Sequence, residues 1–428
     1  MSKFAGRLGV PPAGRWLLAA TLVTTVGNGM HTLATGKLLY DSTGSVAAFG
    51  AVIIFEQVIS FLMQVVAGPK VDRSDPKRTC VQVELIRGGL LIGFALAMLV
   101  SHNVFLWIML MTLSIKVTQP FYRAATFALA PAVMSSESLG RFNGYSNICL
   151  QGGQLLGVAL AGVVIHYWGA PAAFLINGVT FIFSAVSISF ITVPHAEIVR
   201  ATGMSPRISW KQLLKEWREF FLLLRREIGL GWHLMLNTVD SLAVILFNLV
   251  LVPLVAVRYG GSAYWLSIVD GAFAVGAMAT AVVVAPLTNR WGSHTTVVIG
   301  VGGQAVCFLL LGLTDQTWLT LGLTFGIGAC NTISWTVLMT TLQLRVQGRP
   351  IKGRIGTARN LLTSVTAAAL VPLVSKTLDF SLEWAFILSG GICLAFTAIA
   401  IVFGLSRVLG ANLLGEHPQG KHVTTGRG

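Results

Sequence analysis

Apolar blocks of about 20 residues recur along the whole sequence, and each is long enough to cross the hydrocarbon core of a bilayer. Hydrophobic residues make up 54% of the 428 residues and charged residues only 11%, against about 25% charge in soluble chains. A soluble fold could not cover so much apolar surface, so we predict an all-α membrane protein. About twelve transmembrane helices are expected, at residues 16–38, 44–67, 79–100, 104–127, 142–166, 171–193, 232–256, 262–287, 294–313, 317–341, 355–376 and 383–406.

The distribution of cations predicts the orientation of these spans. With the N-terminus inside, only Lys37, Arg258 and Lys376 of the 30 Lys and Arg residues fall clearly outside. Lys116 falls mid-membrane, and the rest lie on or near the cytoplasmic side. This bias predicts cytoplasmic termini in a bacterial inner membrane. Because the cations lie in short loops, the net charge of +14 indicates lipid headgroups as counter-charge, and no nucleic-acid partner is expected.

The chain repeats itself, which predicts two pseudo-symmetric six-helix halves. Matching features recur at offsets of 217, 213 and 216 residues, and duplicated halves are common in secondary transporters. The matches are the segments that follow Gly68 and Ala285, residues 140–141 and 353–354, and Trp16 and Trp232. The predicted divisions are a first bundle at 1–193, a cytoplasmic linker at 194–231, a second bundle at 232–406 and a cytoplasmic tail at 407–428.

The linker contains an apolar stripe at helical spacing, with cations off the stripe. This pattern predicts an amphipathic helix that lies in the cytoplasmic membrane interface. A helix that binds a partner protein is the alternative. The stripe consists of Trp210, Leu213, Leu214, Trp217, Phe220, Phe221 and Leu224.

One loop resembles a known family. The stretch Gly68-Pro-Lys-Val-Asp72-Arg73-Ser-Asp75-Pro-Lys77-Arg78 is similar to the signature between spans 2 and 3 of the major facilitator superfamily. Residues 39–45 and 144–147 resemble the branch of that family that contains the enterobactin exporter and the macrolide-efflux transporters. The resemblance implies a secondary transporter whose spans 1, 4, 7 and 10 line a central cavity, and we expect a monomer. With no phosphate-binding loop in the sequence, we expect the proton gradient, not ATP or another cofactor, to supply the energy.

For the signature loop, the resemblance implies a latch that holds the halves together in the outward-facing state. Asp72 can face the N-terminus of a neighbouring helix, where an anion is favoured. The alternative is a solvated basic loop that only sets the topology. In the second copy Ala285 and Asn289 replace Gly and Asp, so we expect an asymmetric latch. The candidate latch residues are Gly68, Asp72, Arg73, Lys77, Arg78, Arg141, Arg290 and Arg354.

Span 5 carries small residues four positions apart, namely Gly153, Gly157 and Ala161. Such a stripe predicts close helix packing. It resembles the antiporter motif of the superfamily's drug exporters, although Val158 stands where that motif has Pro. The departure makes the stripe weak support for antiport.

Polar residues on spans 1, 4, 5, 7 and 10 recur at three-to-four spacing, so each set faces one side of its helix. These are the same spans, with span 5 added, that the resemblance places around the cavity. Cations among them could hold an anionic group, and aromatic residues could stack on a substrate ring. The candidate substrate-binding residues are Asn28, Lys116, Gln119, Tyr122, Arg123, Asn147, Gln151, Asn237, Asn331 and Trp335.

Acids inside spans are costly and so suggest function. Burial favours the neutral, protonated form of a carboxyl group, which makes Glu56, Asp240 and Asp270 candidate proton carriers with His31 as a possible partner. The alternative is structural, with Glu56 paired to Lys116 or His31. Glu84 and Arg87, near the start of span 3, are interpreted as snorkelling or paired residues without a transport role. The sequence shows no cluster of metal ligands and no nucleophile–base motif.

These features predict a proton-coupled exporter of a small organic molecule, either a siderophore or an amphipathic drug, in which the two halves rock about the cavity. It would be a transporter and not an enzyme. Two alternatives stay open at this point. One is an importer of a siderophore or metabolite with the same fold, and the other is a non-transporting membrane receptor or assembly protein.

Overall fold

The computed structural model of the protein describes residues 9–43, 46–100, 103–193, 209–378 and 380–405. Within these ranges the chain forms thirteen α-helices and no strand. The helices are α1 (Pro12–Thr43), α2 (Val46–Asp72), α3 (Pro76–Val100), α4 (Val104–Val133), α5 (Ser136–Trp168), α6 (Ala170–Ser189), α7 (Trp210–Arg226), α8 (Ile228–Tyr259), α9 (Ala263–Ala281), α10 (Val284–Leu311), α11 (Thr317–Arg345), α12 (Lys352–Leu378) and α13 (Leu382–Leu405).

Helices α1–α6 correspond to the first six predicted spans and α8–α13 to the other six, with ends that differ by a few residues. Eight of the described helices, α3, α5, α6 and α8–α12, are long and apolar enough to cross a membrane by length and composition. The all-α membrane fold is therefore confirmed. The predicted eighth span is wrong at its end, because α9 stops at Ala281. Residues 284–291 continue into α10, which is interrupted by Gly292 at a φ of 78° that favours glycine.

Each half packs as a bundle of its own. In the first half α1 packs against α5 and α6, and α3 packs against α4 and α6. In the second half α10 packs against α11 and α13, and α9 packs against α11. The halves meet where α2 and α4 contact α12 and where α5 contacts α9 and α11. Helices α4 and α11 therefore lie in the interior, between the two bundles.

Small residues set the distance between α1 and α5. A Cβ atom added at Gly157 would lie 2.1 Å from the carbonyl oxygen of Val26, and one added at Gly153 would lie 2.9 Å from Thr25 Cβ. No side chain fits into such a gap. The close packing predicted from the stripe on span 5 is confirmed.

Helix α7 lies across one end of the molecule, which we call the linker end; the opposite end is the far end. Helices α2 and α4 end at the linker end, and α5 and α12 begin there. Leu213, Trp217 and Phe220 are buried in a cluster with Phe127 of α4 and Ile355 of α12. The apolar stripe of the linker is thus partly covered by both halves of the protein. Its exposed members are Trp210, Leu214 and Phe221.

Candidate functional site

The carboxylate of Asp72, the last residue of α2, binds the first turn of α12. Its Oδ1 accepts a hydrogen bond from the backbone N–H of Gly353 (2.5 Å), and its Oδ2 accepts from the backbone N–H (3.3 Å) and Nε (2.8 Å) of Arg354. The side chain of Asp72 is only 3% exposed. Unpaired N–H groups at a helix start stabilise an anion, so this contact joins the two halves at the linker end.

Gly68 makes the approach of α2 to α12 possible. A Cβ atom added at this position would lie 2.3 Å from Thr357 Oγ1 and 3.0 Å from the backbone Cα of Arg354. Any larger residue would push the helices apart, and the contact of Asp72 with α12 depends on their separation. The sequence motif therefore has a direct steric reason at this position.

Helix α7, which the linker pattern predicted, makes polar contacts that the sequence did not reveal. Glu216 forms an ion pair with Arg73 of the first half, and its Oε2 lies 3.9 Å from Nη1 of Arg354 of the second half. The next residue, Trp217, donates its indole N–H to the carbonyl oxygen of Val65 (2.8 Å). The linker thereby bridges the two halves. The available signal was an acid directly beside a tryptophan of the apolar stripe, in a helix with more cations than acids.

Polar contacts continue inward between α5 and α11. Asn143 donates its amide to Thr340 Oγ1 and to Gln343 Oε1, both at 2.8 Å. Deeper in the bundle, Asn147 donates to Thr332 Oγ1 at 2.7 Å. Asn147, a predicted substrate ligand, therefore joins the two halves in this conformation.

The other predicted latch residues do not join the halves. Arg141 pairs with Glu137 of its own helix (3.0 Å), and Arg290 and Arg78 are exposed. Asn289, the counterpart of Asp72, is exposed as well. The structure thus brings together Gly68, Asp72, Arg73 and Arg354, so that, of the two copies of the signature, the first joins the halves in the described part of the chain. The four that form no ion pair between the halves in the described part of the chain are Lys77, Arg78, Arg141 and Arg290.

Asp240 lies at the centre of a buried polar cluster in the second half, and its side chain is 0% exposed. Its Oδ1 accepts hydrogen bonds from Gln304 Nε2 (2.8 Å) on α10 and Ser334 Oγ (2.5 Å) on α11. Asn331 Nδ2 reaches the backbone oxygen of Asp240 at 3.5 Å. The Oδ2 atom of Asp240 is buried and has no hydrogen-bond partner within the described ranges. All of these donors are neutral.

Glu84 and Arg87 form a second buried cluster, in the first half. The two side chains are 0% and 4% exposed and lie 3.6 Å apart. Ser184 Oγ donates to Glu84 Oε1 (2.9 Å), and Arg87 Nε donates to Thr118 Oγ1 (2.8 Å). The Arg87 guanidinium also lies over the ring of Tyr122, 5.2 Å from its centre. The expectation of snorkelling side chains is wrong, because both head groups are enclosed by α3, α4 and α6; the expected pairing is confirmed.

Two arginines lie between these clusters. Arg123 of α4 is exposed although its helix runs through the interior. Arg359 of α12 is half-buried. Electrostatic interactions link Asp240 to Arg359, Arg359 to Arg123, and Arg123 to Arg87. Arg359 was missed by sequence reasoning, which counted it among the cations near the cytoplasmic side.

The remaining candidates are spread over the interior helices. His31 packs edge-on against Phe174, with ring centres 5.0 Å apart, and lies within electrostatic range of Lys116. Asp270 is half-buried on α9 and has no hydrogen bond to the Asp240 cluster. The side chain of Glu56 lies outside the described residues. Asn28, Gln119, Gln151 and Trp335 are half-buried, and Asn237 is fully buried, with no hydrogen-bond partner for its amide among the described residues.

The family model described as Major Facilitator Superfamily matches residues 17–351. An uncharacterised MFS-type transporter of Bacillus subtilis (strain 168), YkuC, is 21% identical over 326 residues, which are 73% of this chain and 72% of that protein. Among solved structures, a bacterial homologue of the iron transporter ferroportin, in an outward-facing state, has a TM-score of 0.69 at 16% identity and covers 91% of this chain and 98% of its own. The E. coli fucose:proton symporter FucP has a TM-score of 0.66 at 12% identity, and the match covers 90% of this chain and 98% of the FucP chain.

Proposed function

This chain belongs to the major facilitator superfamily, and we propose that it is a proton-coupled exporter that works by alternating access. The family and the transporters that share its fold make it a multi-pass membrane transporter rather than an enzyme. The proposed cargo is a small organic molecule, a siderophore or an amphipathic drug. The proposed location is the bacterial inner membrane.

We place the linker end in the cytoplasm. Support comes from its cations, which include Arg73, Arg141, Arg226, Arg290 and Lys352, since cytoplasmic loops are enriched in Lys and Arg. The contacts of Asp72, Glu216 and Asn143 then close the cytoplasmic side. In alternating access these contacts break when the halves rock, and the latch sets how readily the cytoplasmic side opens.

Asp240 is the proposed proton carrier, and its surroundings are the observation that carries the proposal. An ionised carboxylate inside a membrane protein needs a cation or several donors to offset lost hydration. The donors to Asp240 are an amide and a hydroxyl group, and one of its oxygens has no hydrogen-bond partner in the described part of the chain. A proton can therefore bind to Oδ2 without breaking either of the two hydrogen bonds to Oδ1.

The experiment uses inverted vesicles from cells that produce the full chain. The probes are 2-naphthoate, 2-naphthamide and 2-naphthamidine, which share one ring system and differ in charge. Proton-coupled export predicts that an inside-acid gradient drives accumulation of at least one of them. A protonophore should abolish that accumulation, and so should Asp240→Asn. The proposal fails if no probe accumulates, or if Asp240→Asn vesicles accumulate the probes as wild-type vesicles do.

Uptake is a second candidate, and the interaction between Asp240 and Arg359 favours it. Protonation of Asp240 would release Arg359 to bind an anion, so that proton and anion would travel together. The same probes in right-side-out vesicles with an outside-acid gradient separate the two directions. Accumulation there, without accumulation in inverted vesicles, would replace export by uptake.

A further inference from the structure

We infer that Arg123 and Arg359 together bind a carboxylate or a similar planar oxyanion of the transported molecule. This inference rests on the proposed transport function and adds the chemical class of the cargo. Arg123 belongs to the first half and Arg359 to the second. An anion held between them would therefore contact both halves of the transporter.

The packing of α4 on α12 places the two arginines on one face of the interior. A Cβ atom added at Gly356 of α12 would lie 3.3 Å from Phe127 of α4, so the helices touch at this point. Arg123 lies one turn from Phe127 and Arg359 one turn from Gly356, both toward the far end. Residues one turn apart share a helix face. Both side chains thus lie directly above the sealed contact, at the floor of the space between the halves.

The exposure of Arg123 indicates that this floor is open to solvent. Arg123 is exposed at a position ten residues inside the linker end of α4, about 15 Å along the helix. At this depth, therefore, the described part of the protein leaves open space beside Arg123. A water-accessible recess of this kind is where a substrate can reach a buried charge.

The charges around the recess are unbalanced. Arg87 is paired with Glu84, whereas the guanidinium of Arg123 has no ion pair or hydrogen bond in the part of the chain that the structure describes. Arg359 donates to Met339 Sδ (2.9 Å), and its Nε is buried without a hydrogen-bond partner among the described residues. Two guanidinium groups that act on each other, and that form no ion pair in the described part of the chain, favour an anion between them.

Guanidinium chemistry indicates the kind of anion. Arginine presents a planar fork of N–H donors that matches the two oxygens of a carboxylate or phosphonate, and its cation is less strongly hydrated than an ammonium group. Trp335 is half-buried on α11, one turn from Met339, the residue to which Arg359 donates. Its ring could therefore contact the apolar part of the molecule. An aromatic carboxylate fits both features.

The test is direct binding of the three naphthalene probes to the purified full chain in detergent, by titration calorimetry. Wild type should bind 2-naphthoate at least about tenfold more tightly than 2-naphthamide, since hydrogen bonds to charged groups are the stronger ones. Arg123→Gln and Arg359→Gln should each weaken the binding of 2-naphthoate by about 10- to 100-fold and leave the binding of 2-naphthamide unchanged. Arg123→Lys and Arg359→Lys should bind 2-naphthoate with affinities between those of wild type and the Gln variants, because lysine keeps the positive charge but lacks the planar pair of N–H donors.

Lys215→Gln is the matched control, because it removes one positive charge from the exposed face of α7 and should change nothing. Unfolding temperatures without probe verify that each variant is folded. The inference is overturned if wild type binds no probe, if it binds 2-naphthamidine as tightly as 2-naphthoate, or if Gln variants weaken all probes equally. Binding needs no proton gradient, so these outcomes are independent of the vesicle experiment: accumulation of the cationic probe alone would support transport and contradict this site.

Discussion

Arg87 in the first half and Gln304 in the second lie 217 residues apart, the same offset that separates Gly68 from Ala285. Each donates a hydrogen bond to a hydroxyl group of the following helix, Arg87 to Thr118 and Gln304 to Ser334. Each also contacts a buried acid, but the first acid faces a guanidinium and the second faces an amide. The two repeated halves thus differ at matching positions. The acid of the first half is paired with a cation, and the acid of the second half has no cation in hydrogen-bonding contact.

This difference separates the roles of the two acids. Glu84 lies beside the guanidinium of Arg87, which favours the ionised form of the carboxyl group. Removing either partner would leave the other buried without its counter-charge. Asp240 has only neutral donors in hydrogen-bonding contact, which is why we propose that it, and not Glu84, changes its protonation state. In the proposed mechanism the first half keeps a structural ion pair, and the second half keeps the group that changes charge.

The largest effect is expected from Arg87→Gln, which makes the first cluster resemble the second. The variant leaves Glu84 buried without its cation, so the chain should lose about 3–5 kcal/mol of stability. The double variant Glu84→Gln with Arg87→Gln removes both charges and should recover most of the loss. Thermal unfolding in detergent measures both. Equal destabilisation by the single and double variants would show that packing, not charge, dominates this cluster.

The opposite exchange, Gln304→Arg, should inactivate coupling without unfolding the protein. A guanidinium beside Asp240 favours its ionised form by about 10- to 1000-fold, so gradient-driven accumulation should fall to less than about a tenth. Gln304→Met has a similar size and no charge, and it is the control for crowding at this fully buried position. Unchanged accumulation in Gln304→Arg would remove the basis of the comparison.

A second asymmetry concerns the latch, where Asp72 binds α12 and Asn289 binds no helix start in the described structure. Asp72→Asn removes an ion pair with Arg354 and an anion at a helix N-terminus, so the linker end should open more readily by about 1–2 kcal/mol. Hydrogen exchange of the amides at 351–357 should speed up by about five- to thirtyfold. Asp75→Asn is the control, because Asp75 caps α3 within its own half through the N–H of Lys77 (2.9 Å). Equal exchange in the two variants would contradict the latch.

The smallest effect is expected from Glu216→Gln. The side chain of Glu216 is 15% exposed, and Arg354, one of its two cations, is also held by Asp72, so we expect a shift of at most about 1 kcal/mol. Exchange at 351–357 should rise less than in Asp72→Asn. Glu219→Gln, on the exposed face of α7, should have no effect. A larger change than that of Asp72→Asn would make α7, not the signature loop, the main closure of the linker end.

Particular residues show how far the sequence alone predicts this molecule. The spans, the repeat and the acid of the signature loop could be read directly, because hydropathy and motif spacing are local properties. Asp240 was predictable because an acid in an apolar block is costly. Gln304, Arg359 and Glu216 were not, since an amide in a span, a cation near a span end and an acid in a linker acquire meaning only through the helices packed against them. The interruption of α10 at Gly292 was likewise not visible in the hydropathy.

The most direct test of the division between the halves compares two transport modes in proteoliposomes, gradient-driven accumulation and substrate exchange without a gradient. Asp240→Asn should lose accumulation and keep exchange, because exchange needs no net proton movement. The double variant Glu84→Gln with Arg87→Gln should keep both modes. If Asp240→Asn still accumulates substrate against its gradient, or if the double variant alone loses accumulation while it keeps exchange, the proton is carried elsewhere and the account is wrong.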